Sequence, residues 1–141
     1  MMKLADRFKA WIFSVPEGER SVADIILWWE RRRIPYNLLV GTAGICSLML
    51  LSFIVSKTNA LKPSEDVIEP MALLAAPVIM NLCYTAGWVA EKALRKTWPE
   101  SGGRLGPKLL KAGVIFSLVV VALPTAYWGG YWLLRVTGLI K

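Results

Sequence analysis

The sequence predicts an all-α integral membrane protein: three transmembrane helices, preceded at the N-terminus by one or two amphipathic helices in the membrane interface. Three observations predict this class. The chain has three long uncharged apolar stretches, its basic residues alternate in number between the segments that flank them, and apolar side chains recur at helical spacing near the N-terminus. Apolar residues make up 55% of the 141 residues, above the roughly 45–50% typical of soluble domains.

Each apolar stretch is long enough to cross the hydrocarbon core of a bilayer, which takes about 20 helical residues. The stretches run from about Leu38 to Val55, Met71 to Ala90 and Ala112 to Leu134, and none contains a charged residue. A chain this short cannot surround three buried helices with its remaining residues, so membrane spans are the better interpretation. We therefore divide the chain into an interfacial segment, residues 1–35, and a three-helix transmembrane domain, residues 36–141.

The distribution of Lys and Arg predicts the orientation. Seven lie before the first span, two between the first and second, six between the second and third, and two after the third. Because cytoplasmic segments carry the excess of basic residues, we expect a cytoplasmic N-terminus and a C-terminus outside. The small size and this charge pattern resemble those of short polytopic proteins of bacterial inner membranes, and we expect that location.

The sequence of the interfacial segment predicts one or two amphipathic helices. Apolar residues recur every three or four positions in the first fifteen residues, and Pro16–Gly18 should break that helix. Ser21 and Asp24 form a capping-box pattern at the start of a second helix. Pro35 disfavours helical geometry at Ile34, which predicts a bend before the first span.

The motif WWERRR lies where this segment meets the first span. Tryptophan side chains favour headgroup depth, and arginines attract lipid phosphates. We therefore expect Trp28, Trp29, Arg31, Arg32 and Arg33 to contact the headgroups of anionic lipids in the cytoplasmic leaflet. A net charge of +7 also suits nucleic-acid binding, but the position of the motif at the start of an apolar run favours the membrane.

The second span carries a polar face. Its members recur at steps of three and four residues: Asn81, Tyr84, Thr85, Trp88 and Glu91. Lipid offers no hydrogen-bond partners, so we expect Asn81 and Thr85 to bond a neighbouring helix. The alternative is a polar lining for an ion or solute path. Glu91 should pair with Arg95, one helical turn later.

Small residues mark the expected helix contacts. Gly41 and Gly44 lie in the first span, and Ala122, Ala126 and Gly130 form a small-xxx-small pattern in the third. Such residues let helix backbones approach closely in membranes.

The sequence contains few residues suited to catalysis. The chain has no histidine, and its two cysteines, Cys46 and Cys83, lie inside apolar runs. We expect no catalytic residue, no cofactor, no metal site and no nucleic-acid partner. The leading hypothesis is a non-enzymatic membrane protein that self-assembles or serves as an accessory subunit of a larger complex. The alternatives are a homo-oligomeric pore lined by the second span and a lipid-active enzyme or transporter subunit.

The orientation gives the first testable prediction. A cysteine introduced at Ser64, in a background that lacks Cys46 and Cys83, should react with an impermeant thiol reagent added to intact cells. A cysteine at Ser101 should react only after lysis. The reverse pattern would contradict the predicted orientation.

Overall fold

The computed structural model describes residues 4–15, 20–58, 70–98 and 104–140. Four α-helices occupy them, with no strand in these ranges: α1 (Leu4–Phe13), α2 (Val22–Thr58), α3 (Pro70–Thr97) and α4 (Leu105–Val136). Three of these helices, α2 to α4, are long and apolar enough to cross a membrane. The predicted all-α class with three candidate spans is therefore confirmed.

The three long helices extend beyond the predicted spans. They contain 37, 28 and 32 residues, whereas a span needs about 20. The expected departure of Ile34 from helical geometry is wrong, because α2 continues through Ile34 and Pro35 to Thr58. A proline inside a helix removes only one backbone hydrogen bond, and neighbouring groups in a helical bundle can compensate for that loss. The break expected at Pro16–Gly18 lies outside the described residues.

Local sequence explains where the long helices begin and end. At the start of α2, the amide nitrogen of Asp24 donates to Ser21 Oγ at 3.2 Å, and the amide nitrogen of Ser21 donates to Asp24 Oδ2 at 3.0 Å. This is the predicted capping box. The first turn of α4 contains Pro107, whose missing N–H would have no intrahelical acceptor there. Gly138 follows α4 with a φ of 73°, the left-handed conformation of a glycine C-cap.

The described helices divide between two compact units. The first unit comprises Met1–Asn37 and Asn81–Ile115, and the second comprises Leu38–Met80 and Phe116–Lys141. The first unit therefore holds α1, the N-terminal part of α2, the C-terminal part of α3 and the start of α4. The second unit holds the remaining parts of the three long helices.

Within the first unit, hydrogen bonds from Arg32 of α2 hold the C-terminal end of α1. Its guanidinium donates to the carbonyl oxygens of Ile12 and Trp11, each at 2.6 Å, and of Ser14 at 3.1 Å. The indole nitrogen of Trp28 donates to the same Ser14 oxygen at 2.6 Å. The last carbonyl groups of a helix have no hydrogen-bond donors inside the helix. Arg32 therefore supplies donors to carbonyl oxygens at the end of α1.

Within the second unit, polar and small residues join α2 to α4. Ser47 Oγ donates to the carbonyl oxygen of Val121 at 2.8 Å, and Thr125 Oγ1 donates to the carbonyl oxygen of Ser47 at 2.9 Å. Gly44 faces Val121, and Gly129 faces Ile54. Because a missing side chain lets two backbones approach, the glycines and the Ser47–Thr125 pair together define this contact.

An arginine also caps the C-terminus of a helix in the second unit. Arg135, in the last turn of α4, donates to the carbonyl oxygen of Thr58, the last residue of α2. Thr58 is buried. A cation at a helix C-terminus also interacts favourably with the helix dipole.

The fastening of α1 gives the second prediction. Arg32→Gln should release α1 from α2, because three carbonyl oxygens of the α1 end lose a charged donor. Hydrogen exchange of the amides at residues 8–15, measured by mass spectrometry, should accelerate by about tenfold or more as this local unit opens. Arg104→Gln is the matched control, since Arg104 is exposed in the same unit and the exchange profile of this variant should equal that of the wild type. Unchanged exchange in Arg32→Gln would contradict the role assigned to Arg32.

Candidate functional site

A completely buried carboxylate lies at the centre of the first unit. Glu91 of α3 has no exposed surface. Its Oε1 accepts from Arg20 Nη1 at 3.0 Å and from Arg95 Nε at 2.9 Å, and its Oε2 accepts from the indole nitrogen of Trp29 at 2.7 Å. A buried charge is tolerated when it is paired and hydrogen-bonded, and Glu91 meets both conditions. We call these four residues the Glu91 cluster.

The first turn of α4 closes over the same carboxylate. Gly106 is buried, and a Cβ atom built on it would lie 2.7 Å from Glu91 Oε2. Only glycine leaves room for the carboxylate at this distance. The N-terminus of a helix carries partial positive charge, so α4 begins where it stabilises the negative charge of Glu91.

Trp29 is held in place from several sides. It is 2% exposed, and a Cβ on Gly87 of α3 would lie 2.7 Å from its ring. The hydroxyl of Tyr84 donates to the carbonyl oxygen of Trp29, and the two rings meet edge to face with centroids 5.2 Å apart. The ring of Tyr36 packs on Tyr84 at 4.6 Å. The orientation of the indole towards Glu91 is therefore set by packing.

The polar face of α3 is directed at α2 within the first unit. Asn81 Oδ1 accepts from Asn37 Nδ2 at 3.2 Å and from Arg33 Nη1 at 3.4 Å. Thr85 Oγ1 accepts from Arg33 Nη2 at 3.1 Å, and Arg33 also pairs with Glu30 at 2.7 Å. These are the interhelical bonds that the packing interpretation of Asn81 and Thr85 expects. Of the other three residues in the set, Tyr84 and Glu91 are buried, and Trp88 is half-buried.

The WWERRR motif requires a correction. Trp28, Trp29 and Arg32 are 5%, 2% and 4% exposed, so these three side chains pack within the protein. Arg33 is half-buried against α3, and of the three arginines only Arg31 is exposed. Consecutive residues of a helix point about 100° apart, so three adjacent arginines cannot all face the same surface.

The predicted small-residue contacts are met in part. Gly44 faces α4, but a Cβ on Gly41 or Gly130 would meet nothing within 4 Å, and Ala122 and Ala126 are exposed. The α4 residues that do contact α2 lie one position earlier in the helix. They are Val121, Thr125 and Gly129.

Arg20 keeps its positive charge within the Glu91 cluster. Burial lowers the pKa of the Arg20 guanidinium, and the neighbouring Glu91 carboxylate opposes that shift. Because the usual arginine pKa lies far above physiological pH, Arg20 stays protonated. With Arg95, two cations surround one carboxylate. Within the described ranges, no three His, Cys, Asp or Glu side chains gather that could hold a metal ion, and Cys46 and Cys83 are free and exposed.

Sequence reasoning found one partner of Glu91 and missed the others. The Glu91–Arg95 pair follows from the spacing of four residues. Arg20 and Trp29 lie 71 and 62 positions away, and no periodicity links them to Glu91. One local signal did exist for the approach of α4 to Glu91. Gly106 stands beside Pro107 in the first turn of α4, where a residue without a side chain allows close contact.

By fold and composition, the chain belongs to the class of all-α integral membrane proteins with three candidate transmembrane helices. No protein-family model, curated protein or solved structure matches it.

The buried carboxylate gives the third prediction. Glu91→Gln should lower the free energy of unfolding by roughly 3–5 kcal/mol, because the guanidinium groups of Arg20 and Arg95 lose the buried carboxylate that pairs with both. Unfolding of the detergent-solubilised protein by added denaturing detergent measures this loss. Glu30→Gln breaks an exposed pair with Arg33 and should cost only about 0.2–1 kcal/mol. Equal losses for the two variants would contradict the central role of Glu91.

Proposed function

We propose that this chain is a small, non-enzymatic protein of a bacterial inner membrane that acts by assembly, with copies of itself or within a larger complex. Its N-terminus lies in the cytoplasm, as the 7, 2, 6, 2 distribution of basic residues favours. The observation that carries the proposal is the exposed small-residue face of α4, Ala122, Ala126 and Gly130.

The α4 face is distinct from the surface that the chain uses internally. Val121, Thr125 and Gly129 contact α2, whereas Ala122, Ala126 and Gly130 lie about 100° further around the helix. Exposed Leu123 and Tyr127 border that second face. A strip of small residues flanked by larger apolar ones is the usual form of a helix contact in membranes. A partner helix would bury it.

The polar groups of the first unit support assembly more than catalysis or conduction. Asn81 and Thr85 bond α2, and Glu91 is enclosed by its cluster. A side chain that is engaged in internal bonds does not line a water-filled path. The pore hypothesis therefore ranks second: an oligomer would have to open these bonds or place another surface on its axis.

The fourth prediction concerns particle mass. The wild-type protein in a nanodisc or mild detergent should have the mass of an oligomer of 15.7 kDa chains or should co-purify with a partner in fixed ratio. Replacing Ala122, Ala126 and Gly130 together with Ile should shift the particle to the monomer, because bulky side chains keep helices apart. Multi-angle light scattering measures the mass of the protein component.

Gly113→Ile provides the control for this experiment. Gly113 lies on the opposite side of α4, and a Cβ there meets nothing within 4 Å. The control should keep the wild-type mass. A wild-type monomer without a partner would contradict assembly. A wild-type conductance in planar bilayers that Asn81→Leu abolishes, with the oligomer intact, would favour the pore instead.

A further inference from the structure

A concavity of about 410 Å³ lies between the C-terminal end of α1 and the first turns of α2, within the first unit. Its walls combine apolar side chains, two guanidinium groups and one carboxylate. The lining residues include Trp11, Asp24, Leu27, Trp28, Arg31 and Arg32. The proposed assembly through α4 makes no use of this site.

No described carboxylate forms an ion pair with Arg31 or Arg32, the two arginines of the concavity. Arg32 is buried, and its described hydrogen bonds all end on backbone carbonyl oxygens. Its guanidinium also stacks 3.9 Å from the centroid of the Trp28 ring. Arg31 is exposed and forms no hydrogen bond or ion pair with any described residue. The site therefore offers one guanidinium with free donors and a second that adds positive potential.

The carboxylate of Asp24 offsets part of the positive charge of the concavity. Its Oδ2 accepts hydrogen bonds from the amide nitrogen and the hydroxyl of Ser21, so the capping box keeps this carboxylate at the site. Among the residues that line the concavity, two arginine charges against one aspartate leave a net charge of +1. A phosphodiester carries a single negative charge and balances that sum. A phosphomonoester, which carries nearly two at neutral pH, would be left in excess.

The apolar walls distinguish a lipid from a soluble anion. Leu27 is 50% exposed and Trp11 is 42% exposed, and α1 also exposes Phe8 and Phe13. A soluble phosphate would gain nothing from these surfaces. A phospholipid would place its glycerol and the first methylene groups of its chains against them, which removes apolar surface from water.

We infer that this concavity binds the phosphodiester group of a membrane phospholipid. Arg31 donates to the phosphate oxygens, and Arg32 stabilises the negative charge through its potential. Trp11 and Leu27 contact the glycerol and the start of the acyl chains. Lipid binding thus depends on one exposed arginine of the WWERRR motif and on the docking of α1, which forms one wall.

Titration of the full chain in maltoside detergent, which contains no phosphate, tests this site. The probe is dihexanoyl phosphatidylglycerol, and calorimetry or native mass spectrometry reports binding per chain, whatever the oligomeric state. Arg31→Gln should weaken binding by about tenfold or more, the usual effect of losing a charged hydrogen bond. Arg104→Gln removes the same charge from another exposed position of the first unit and should bind as the wild type does.

Two further arms identify the source of the phosphate group. Leu27→Gln, at an exposed position, should weaken binding of the phospholipid, and inorganic phosphate should not displace the phospholipid from the wild type. Full displacement by inorganic phosphate, with no effect of Leu27→Gln, would mean a soluble anion and overturn the lipid assignment. Equal weakening by Arg31→Gln and Arg104→Gln would mean general surface attraction and overturn the site, as would the absence of binding to the wild type.

Discussion

The first unit depends on the need to neutralise one buried carboxylate. Glu91 has no contact with solvent, and an isolated carboxylate in a low-dielectric interior is prohibitively costly. The chain offsets that cost with groups from four places: Arg20 just before α2, Trp29 within it, Arg95 on α3 and the first turn of α4 at Gly106. No one of these segments could move away without leaving charge or polar surface unsatisfied. The carboxylate therefore fixes how α2, α3 and α4 pack in this unit.

Arginine serves three different purposes within the WWERRR motif. Arg31 is exposed, Arg32 is buried on the carbonyl oxygens of α1, and Arg33 bonds the polar face of α3. Helical geometry directs the three side chains apart, and a guanidinium can satisfy backbone oxygens, a carboxylate or a phosphate equally well. Charge density in the sequence predicts that such groups are needed. It does not predict which of them meets the membrane.

Whether a feature could be predicted from the sequence depends on how far apart along the chain its interacting residues lie. Apolar runs, the capping box of Ser21 and the Glu91–Arg95 pair depend on neighbours within a few residues or on composition alone, and sequence reasoning found them. The burial of Trp28 and Trp29 depends on contacts with α1 and α3, which no local pattern specifies. An indole prefers a half-apolar setting with one hydrogen-bond acceptor, and both a lipid interface and a protein interior provide that setting. Pro35 shows the same limit, since the local preference against helix yields to the continuity of α2.

The third span, α4, carries two adjacent faces rich in small residues. Contacts between described residues of the chain explain only one of them. Val121, Thr125 and Gly129 are used in the second unit, where Ser47 and Gly44 of α2 meet them. Ala122, Ala126 and Gly130 are exposed and make no such contact with the residues that the structure describes. Lipid tails pack against leucine as well as they pack against alanine, so contact with lipid alone does not require a small-residue strip. Close approach of another helix is favoured by one. The second face therefore supports the proposed assembly.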